Sequence, residues 1–228
     1  MIELNNLYKS YNKKAVINNL SLHISDGETV ALVGKNGAGK TTLIRLISGT
    51  VKPDSGTVSY EKAHSIGVLL GGDINLYGNL TGFEILYYFG ELYGMNSRRI
   101  KNRISELDKE LNIKHYLTKK CHTFSRGMKQ KVAFAISVMH NPDILLLDEP
   151  STGLDIEASA DVISFINYLK KDGKTILLVS HNVYEISELS DKIVFLNNGK
   201  IEKQIEAKDF FTPYADFDNG ILLKQELK

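Results

Sequence analysis

VGKNGAGKTT, residues 33 to 42, sets three glycines and two threonines around Lys40, between the apolar runs TVALV and LIRLI. The run before it predicts a strand, and the run after it predicts a helix. The stretch fits the pattern G-x-x-x-x-G-K-[ST] through Gly34, Gly39, Lys40 and Thr41. Glycines let successive backbone N–H groups turn inward around an anion, where a Cβ atom would obstruct the turn. The sequence therefore predicts a loop that wraps phosphate groups.

The helix that begins near Lys40 completes this loop as a nucleotide site. Its free amides and the positive end of its dipole attract an anion. The Lys40 ammonium is placed to neutralise charge on the β- and γ-phosphates, and the Thr41 hydroxyl is placed to coordinate Mg²⁺. The residues expected to hold the nucleotide through this loop are Gly34, Lys35, Asn36, Gly37, Ala38, Gly39, Lys40, Thr41 and Thr42.

Short apolar runs elsewhere in the chain predict an α/β fold with a mainly parallel sheet. Runs that are apolar on both faces are typical of parallel strands that helices cover. The runs expected as strands are TVALV (29–33), DILLL (143–147), TILLV (175–179) and KIVFL (192–196). The helix-period patterns between them lie at residues 40–49, 125–140 and 156–173.

Two other regions have a different pattern from the parallel core. Residues 2–28 predict short antiparallel strands with an Asp-Gly turn, which form a β layer beside the core. Residues 82 to about 140 carry helix-period apolar positions with no strand between them. We therefore expect a single domain with an α/β core over about 1–73 and 141–228, and an inserted helical lobe over about 74–140.

Composition limits the classes of protein to which the chain can belong. A formal net charge of +1 over 228 residues argues against a generally polybasic nucleic-acid binder. Residues 98–131 hold eleven Lys and Arg against three acids, but aromatic residues are sparse there, which favours a solvated helix face and no nucleic-acid partner. The single cysteine, Cys121, indicates a reducing cytoplasm and an ordinary semi-buried side chain. The N-terminus lacks a secretory signal, and no apolar run approaches the roughly 18 residues that would span a bilayer.

The stretch DILLLDEP, residues 143–150, brings two carboxylates to the end of a strand. Ligands of parallel sheets bind at the carboxyl ends of the strands. Adjacent strand residues point to opposite sides, so Asp148 and Glu149 are expected to do different work. Asp148 is suited to hold Mg²⁺ through water, and Glu149 to polarise the water that attacks the γ-phosphate.

These two motifs, with four further segments, resemble the ATP-binding subunit of ABC transporters over nearly the whole chain. The resemblance implies the P-loop ATPase fold, ATP and Mg²⁺ as ligands, and a helical lobe that carries the signature segment. The features occur in the expected order: Tyr11 in KSYNKKAVINNLS, the loop GKNGAGKTT, FSRGMKQK, DILLLDEP, STGLD, and VSH ending at His181.

The resemblance also implies that the protein works as a pair. Ser125 and Gly127 begin a helix whose N-terminus would complete the ATP site of a second copy, so that two ATP molecules lie between the copies of a head-to-tail dimer. Asp155 is the acid of the loop through which the two sites sense each other. We therefore expect a second copy of the chain as a partner.

Two more residues take roles from the family pattern. Tyr11 stands where the family has an aromatic that stacks on adenine, and a half-buried strand tyrosine is the alternative. His181 stands where the family has a histidine that bonds the γ-phosphate and positions Glu149 and the attacking water. We expect Glu149, His181 and Lys40 to be the catalytic residues.

The sequence departs from the family pattern at two places. FSRGMKQK replaces the usual LSGGQ, with Arg126 in place of a glycine and Met128 in place of the glutamine, and we expect Met128 to make a core contact. The loop that enters the helical lobe normally supplies a glutamine to Mg²⁺ and water, but Gly71 or Gly72 occupies that position. Either water fills that place or Asp73 substitutes for the glutamine.

The segments LYGNLTGFEILYYFGELYGM and FSRGMKQK resemble the exporter subgroup that drives sodium extrusion, drug efflux or bacteriocin self-protection. Such subunits work with a separate six-helix permease, so we expect a peripheral protein at the cytoplasmic face of the membrane. One alternative is a soluble ABC ATPase that acts on a ribosome or an assembly machinery. A second is a nucleotide-gated binding module, which the missing glutamine favours and which Glu149 and His181 oppose. The transported substrate and the role of residues 205–228 stay open.

Overall fold

Two β-sheets and the helices packed on them form the part of the chain that the computed structural model describes, residues 1–62, 64–71 and 76–210. The strands are β1 (Ile2–Tyr11), β2 (Lys14–Ile24), β3 (Thr29–Val33), β4 (Ser55–Tyr60), β5 (Ile66–Leu69), β6 (Ile144–Asp148), β7 (Thr175–Val179), β8 (Lys192–Asn197) and β9 (Lys200–Glu206). The helices are α1 (Lys40–Ile47), α2 (Gly82–Leu92), α3 (Ser97–Leu111), α4 (Lys114–Leu117), α5 (Arg126–Ser137), α6 (Ile156–Lys171), α7 (Val183–Leu189) and α8 (Ala207–Phe210).

The larger sheet has the strand order β5-β6-β7-β3-β8-β9. All neighbouring pairs are parallel except β8 with β9. Every residue of β3, β6 and β7 is buried, so their near-continuous apolar sequences fit strands covered on both faces. The predicted α/β class with a mainly parallel sheet is confirmed. Because parallel strands end at the same edge, the residues that follow β3, β6 and β7 are brought together.

The smaller sheet is antiparallel, with the order β2-β1-β4. Its strands β1 and β2 are 10 and 11 residues long, and their hairpin turns at Asn12 and Lys13, with φ of 50° and 65°. The expected β layer is therefore present, but its strands are longer than predicted and its turn is not the Asp-Gly pair. Asp26 and Gly27 instead connect β2 to β3. Asparagine tolerates the left-handed region, so this hairpin needs no glycine.

Helices follow one another from Gly82 to Ser137 with no strand between them, as the sequence pattern predicts. A capping box of Thr81 and Glu84 starts α2, where the Thr81 hydroxyl accepts from the Glu84 amide at 3.2 Å. The division of the chain into a core and a helical lobe at residues 73 and 74 stays a prediction, because that boundary lies outside the described residues. Helices α1, α5 and α6 end two or three residues before their predicted ends.

A shared hydrophobic core joins the helical segment to the larger sheet. The rings of Phe134 on α5 and Phe165 on α6 meet edge to face with their centroids 6.0 Å apart. The same cluster of buried side chains takes in Leu86 and Ile100 from the helices and Leu145 from β6. The helical segment is thus seated on the sheet by apolar packing, and its position is tied to the strands that carry the site.

Two side chains of the helical segment are more deeply buried than predicted. Lys131, one of the basic residues expected on a solvated face, forms an ion pair with Asp161 at 2.8 Å and donates to the Leu111 carbonyl at 3.0 Å. Its side chain is 4% exposed, whereas that of Asp161 is 31% exposed. Cys121 is fully buried rather than half-buried. Met128 is partly buried against a core cluster, as expected.

Across the described ranges, no helix combines the length and the apolar character needed to cross a membrane.

Candidate active site

The loop between β3 and α1 has the tight geometry that its glycines predict. A Cβ atom on Gly34 would lie 2.2 Å from the Leu196 carbonyl oxygen, and one on Gly39 would lie 2.7 Å from the Val16 carbonyl oxygen. Gly39 also has a φ of 111°, which residues with a side chain rarely adopt. No side chain caps the N-terminus of α1, so the first amides of that helix are left to an incoming group. The loop therefore has the shape of an anion cradle.

The Lys40 side chain places a positive charge inside this loop. Its ammonium donates to the carbonyl oxygens of Gly34 and Lys35, and the residue is only 8% exposed. Burial lowers the pKa of Lys40, while the negative charges of Glu149 and Asp148 raise it. A phosphate group in the cradle would add negative charge, which would stabilise the protonated form of the partly desolvated ammonium.

A hydroxyl and a carboxylate converge at the end of the cradle. The Thr41 hydroxyl donates to Asp148 Oδ2 at 2.7 Å, across 107 residues of sequence. Asp148 ends β6 and is 5% exposed. Hydroxyl and carboxylate oxygens are the protein ligands that Mg²⁺ accepts beside nucleotide phosphates. The donor set at this point therefore fits that cation.

Glu149 faces different partners from Asp148, although the two are adjacent in sequence. One carboxylate oxygen of Glu149 lies 3.3 Å from His181 Nε2, and the other accepts from the Thr152 hydroxyl at 2.9 Å. The residue has a φ of 54°, a left-handed conformation that ends the regular strand geometry after Asp148. The two carboxylates are thus separated, as a metal-holding group and a base would need to be.

These groups surround one cavity of about 340 Å³. The cavity brings together residues that are expected to act on the nucleotide and that come from three separate strand ends. The residues that line it are Val16, Asn36, Gly37, Gly39, Lys40, Thr41, Thr42, Gly71, Asp148, Glu149 and His181. Gly34, Lys35 and Ala38 belong to the body of the same loop but do not line the cavity.

Besides those three loop residues, four others that the sequence assigns to the nucleotide lie outside this lining. Tyr11 is at the end of β1, 42% exposed, with the Lys9 ammonium 5.6 Å from its ring centroid. Ser125 caps α5 by accepting from the Met128 amide at 3.2 Å. Asp155 caps α6 by accepting from the Ala158 amide at 2.8 Å.

Gly127, the fourth, packs against the loop that follows Glu149. A Cβ atom there would lie 3.3 Å from a Leu154 methyl carbon and 3.4 Å from the Gly153 carbonyl oxygen. The N-terminus of α5 therefore lies beside the STGLD loop of its own chain and contributes nothing to the lining of its own cavity. The roles of these four residues stay predictions.

The structure adds two residues to the cavity that sequence reasoning did not assign with certainty. Val16, on β2, lines the cavity beside Gly39, and no local pattern in its strand marks it. Gly71 lies against Asp148, where an added Cβ atom would be 3.3 Å from the Asp148 carbonyl oxygen. The alternatives Gly72 and Asp73 for the missing glutamine lie outside the described residues. Gly71 leaves the space next to Asp148 without a side chain.

Comparison with known proteins identifies the family to which the chain belongs. A sequence model of the ABC transporter family matches residues 17–152, which contain the cradle and both carboxylates. The chain belongs to the ABC transporter family. It is an ATP-binding subunit of that family with the P-loop ATPase fold, as the motifs predict.

Individual relatives agree over most of their length. The ABC transporter ATP-binding protein NatA of Bacillus subtilis (strain 168) is 42% identical over 201 residues, which cover 83% of this chain and 82% of NatA. The lantibiotic transport ATP-binding protein SrtF of Streptococcus pyogenes is 31% identical over 234 residues, which cover 99% of both chains. A dimeric post-hydrolysis structure of the ATP-binding cassette MJ0796, bound to ADP and Pi, is similar with a TM-score of 0.83 at 26% identity, covering 91% of this chain and 99% of that one. ATP hydrolysis is therefore the activity of this ABC subunit.

A buried carboxyl group, Glu185 on α7, lies behind the site and has no signal in the family motifs. It is 0% exposed and accepts a hydrogen bond from the Ser180 hydroxyl, one residue before His181. Burial raises the pKa of Glu185 from its ordinary value of 4.5 to about 7. The hydroxyl of Ser180 opposes this rise in pKa, and the negative charge of Glu149 adds to it. Near neutral pH the carboxyl group is therefore partly protonated.

Glu185→Gln should stabilise the protein above neutral pH and much less in acid. The unfolded chain ionises Glu185 near pH 4.5 and the folded chain near pH 7. Wild type therefore loses stability as the pH rises through that window, whereas glutamine does not titrate. From these pKa values we expect the difference in the free energy of unfolding between variant and wild type to grow by about 2 to 3 kcal/mol from pH 5 to pH 8. Urea unfolding of both proteins at the two pH values measures this change, and a difference that does not vary with pH would contradict it.

Proposed function

We propose that this chain is the ATP-hydrolysing subunit of a membrane exporter. In this proposal two copies bind two ATP molecules head to tail, and closure and opening of the pair drive a separate transmembrane permease. The observation that carries the proposal is the convergence of Lys40, Asp148, Glu149 and His181 on one cavity beside the glycine cradle. An anion site, a cation-binding carboxylate and a base-histidine pair are the parts that phosphoryl transfer to water requires.

The cradle is proposed to hold the phosphate groups of ATP. The free amides at the start of α1 and the Lys40 ammonium face the β- and γ-phosphates, and the nearby loop backbone wraps them. Thr41 and Asp148 would hold Mg²⁺, which supplies charge neutralisation on the phosphate oxygens when it is bound. Tyr11 is proposed to stack on adenine, with Val16 beside the cradle.

Glu149 is proposed as the general base of hydrolysis. It accepts a proton from the water that attacks the γ-phosphate, and such assistance is typically worth about 10²- to 10⁴-fold in rate. His181, 3.3 Å from the Glu149 carboxylate, orients that carboxylate and the γ-phosphate. Thr152 donates to the other oxygen of Glu149 and fixes the direction in which the base faces.

A second copy is proposed to complete each site. The N-terminus of α5, with Ser125 and Gly127, lies outside its own cavity and is free to cap the ATP of the partner copy. Asp155 stands at the start of α6, where it joins the two sites across the pair. The dimeric ADP- and Pi-bound cassette that this chain resembles supports this arrangement. ATP closes the pair by bridging the copies, and loss of the bridge after hydrolysis opens it.

Export through a separate permease is the proposed use of that motion. Relatives over most of the chain are a lantibiotic transport protein and NatA, both ATP-binding components. The described part of this chain holds no helix that could cross a membrane. The protein is therefore proposed to sit at the cytoplasmic face of a membrane, attached through its permease.

Lys40→Ala should abolish ATP binding. Lys40 is the only lysine among the residues that line the cavity, so the variant would lose the ammonium that faces the phosphates. We expect the dissociation constant for MgATP to rise at least 100-fold, measured by calorimetry. Lys200→Ala, a change on the exposed strand β9, is the matched control and should bind ATP like wild type. Normal affinity in the Lys40 variant would refute the proposed role of the cradle.

Glu149→Gln should keep ATP binding and lose hydrolysis, since the amide holds its place but accepts no proton. We expect turnover to fall by about 10²-fold or more, and the variant to run at twice the monomer mass with MgATP in size exclusion with light scattering. Glu110→Gln, on the exposed face of α3, should retain full turnover. Unchanged turnover in the Glu149 variant would exclude the assigned base, and a monomer in MgATP would exclude the proposed pair.

The permease assignment predicts that the gene beside this one encodes a hydrophobic six-helix protein. Coexpression with that protein should move this chain from the soluble to the membrane fraction, whereas coexpression with an unrelated six-helix protein should not. The readout is the distribution of the chain between the fractions after centrifugation. A chain that stays soluble with its neighbour would favour an ABC ATPase that works on a ribosome or assembly machinery.

A further inference from the structure

The Gln130 side chain lies between the helix α5 and the proposed catalytic base. Gln130 is 5% exposed, and its Nε2 donates to the carbonyl oxygens of Glu149 and Pro150, both at 3.0 Å. The Glu149 carbonyl also accepts from the Thr152 amide at 3.2 Å. A buried side-chain amide that donates to two consecutive carbonyl oxygens holds the backbone firmly at that point. Loss of these hydrogen bonds would leave the carbonyl oxygens with fewer donors, which is unfavourable.

The backbone of Glu149 needs such a constraint. Its φ of 54° lies in the left-handed region, which is unfavourable for a residue with a side chain. Its N–H donates to the Val179 carbonyl at 2.8 Å, so the strand β7 holds one side of the residue. Gln130 holds the other side. Such strained conformations persist only when the surrounding structure enforces them.

Close contacts between α5 and the following loop support the same link. Gly127 lies against Gly153 and Leu154, and a Cβ atom on Gly153 would lie 3.0 Å from Arg126 Nε. The first turn of α5 and the loop after Glu149 are therefore packed as one unit. A shift of α5 along its axis would reach Glu149 through Gln130 and through this packing.

We propose that Gln130 is a positioning residue for Glu149, so that hydrolysis in each site depends on how α5 of the same chain is seated. The inference rests on the proposed function, in which Glu149 is the base and the N-terminus of α5 caps the ATP of the partner copy. Gln130 touches neither ATP nor the reacting water; it acts through the backbone of Glu149. The helix that meets the partner's nucleotide thereby also fixes the base of its own site.

The variant Gln130→Met tests this role, because methionine keeps the length of the side chain and removes its donor. We expect kcat for ATP to fall 10- to 100-fold, the range that a small misplacement of a catalytic group produces, with KM changed less than threefold. The melting temperature should fall by only a few degrees, because two carbonyl oxygens lose one donor. Gln204→Met, on the exposed strand β9, is the matched control and should keep the wild-type kcat. Gln130→Leu, which has a similar volume and no polar atom in its side chain, provides a second variant that should show the same loss.

A double-mutant cycle separates positioning from a general structural effect. If Gln130 acts through Glu149, Gln130→Met should change the residual rate of the Glu149→Gln protein by less than twofold. Losses that multiply in the double variant, or a full wild-type kcat in both Gln130 variants, would overturn the inference. These results differ from failure of the proposed function, in which wild type itself would not hydrolyse ATP.

Discussion

The parallel pairing of β6 with β7 is the constraint on which the site depends. Asp148 pairs in register with Val179, and the next amide, that of Glu149, donates to the Val179 carbonyl at 2.8 Å. The chain must leave the strand at this point, and it does so through the left-handed φ of Glu149. Because of that turn, one carboxylate faces Thr41 and the cradle while its neighbour faces His181. In a regular strand the two side chains would point to opposite faces of the sheet, whereas here both line one cavity.

The charges in the cavity explain why a bound triphosphate would need positive groups that the chain alone does not supply. Glu149 and Asp148 oppose the lowering of the Lys40 pKa by burial, and Glu185 lies fully buried behind Glu149. A triphosphate adds further negative charge to this group. Under the proposed function, that charge is offset by a divalent cation at Thr41 and Asp148 and by the N-terminus of the partner's α5. Burial is the main cause of the raised pKa of the Glu185 carboxyl group, and the negative charge of Glu149 adds to it.

Apolar packing connects the helical segment to the larger sheet. The core that contains Phe134 of α5 and Phe165 of α6 also contains residues of β6. A displacement of the helical segment would therefore disturb the packing of the strand that carries the carboxylates. The ion pair of the buried Lys131 with the partly exposed Asp161 joins the same two helices by a polar contact. In the proposed pair of copies, α5 therefore meets the nucleotide of one site and the base of the other.

The sequence by itself determined the parts that depend on local chemistry. Glycine spacing, Lys40 and the strand and helix around them predicted the cradle, and the apolar runs predicted the parallel sheet, because backbone freedom and burial are properties of short segments. Tertiary structure alone decided the partners of Gln130, the place of Val16 at the cavity and the burial of Glu185. No local sequence pattern distinguishes these three residues from others of their type. Their roles arise from contacts with other parts of the folded chain. The longer N-terminal strands follow the same rule, because pairing with β4 and the turn at Asn12 extend a hairpin that the sequence pattern shows only as short runs.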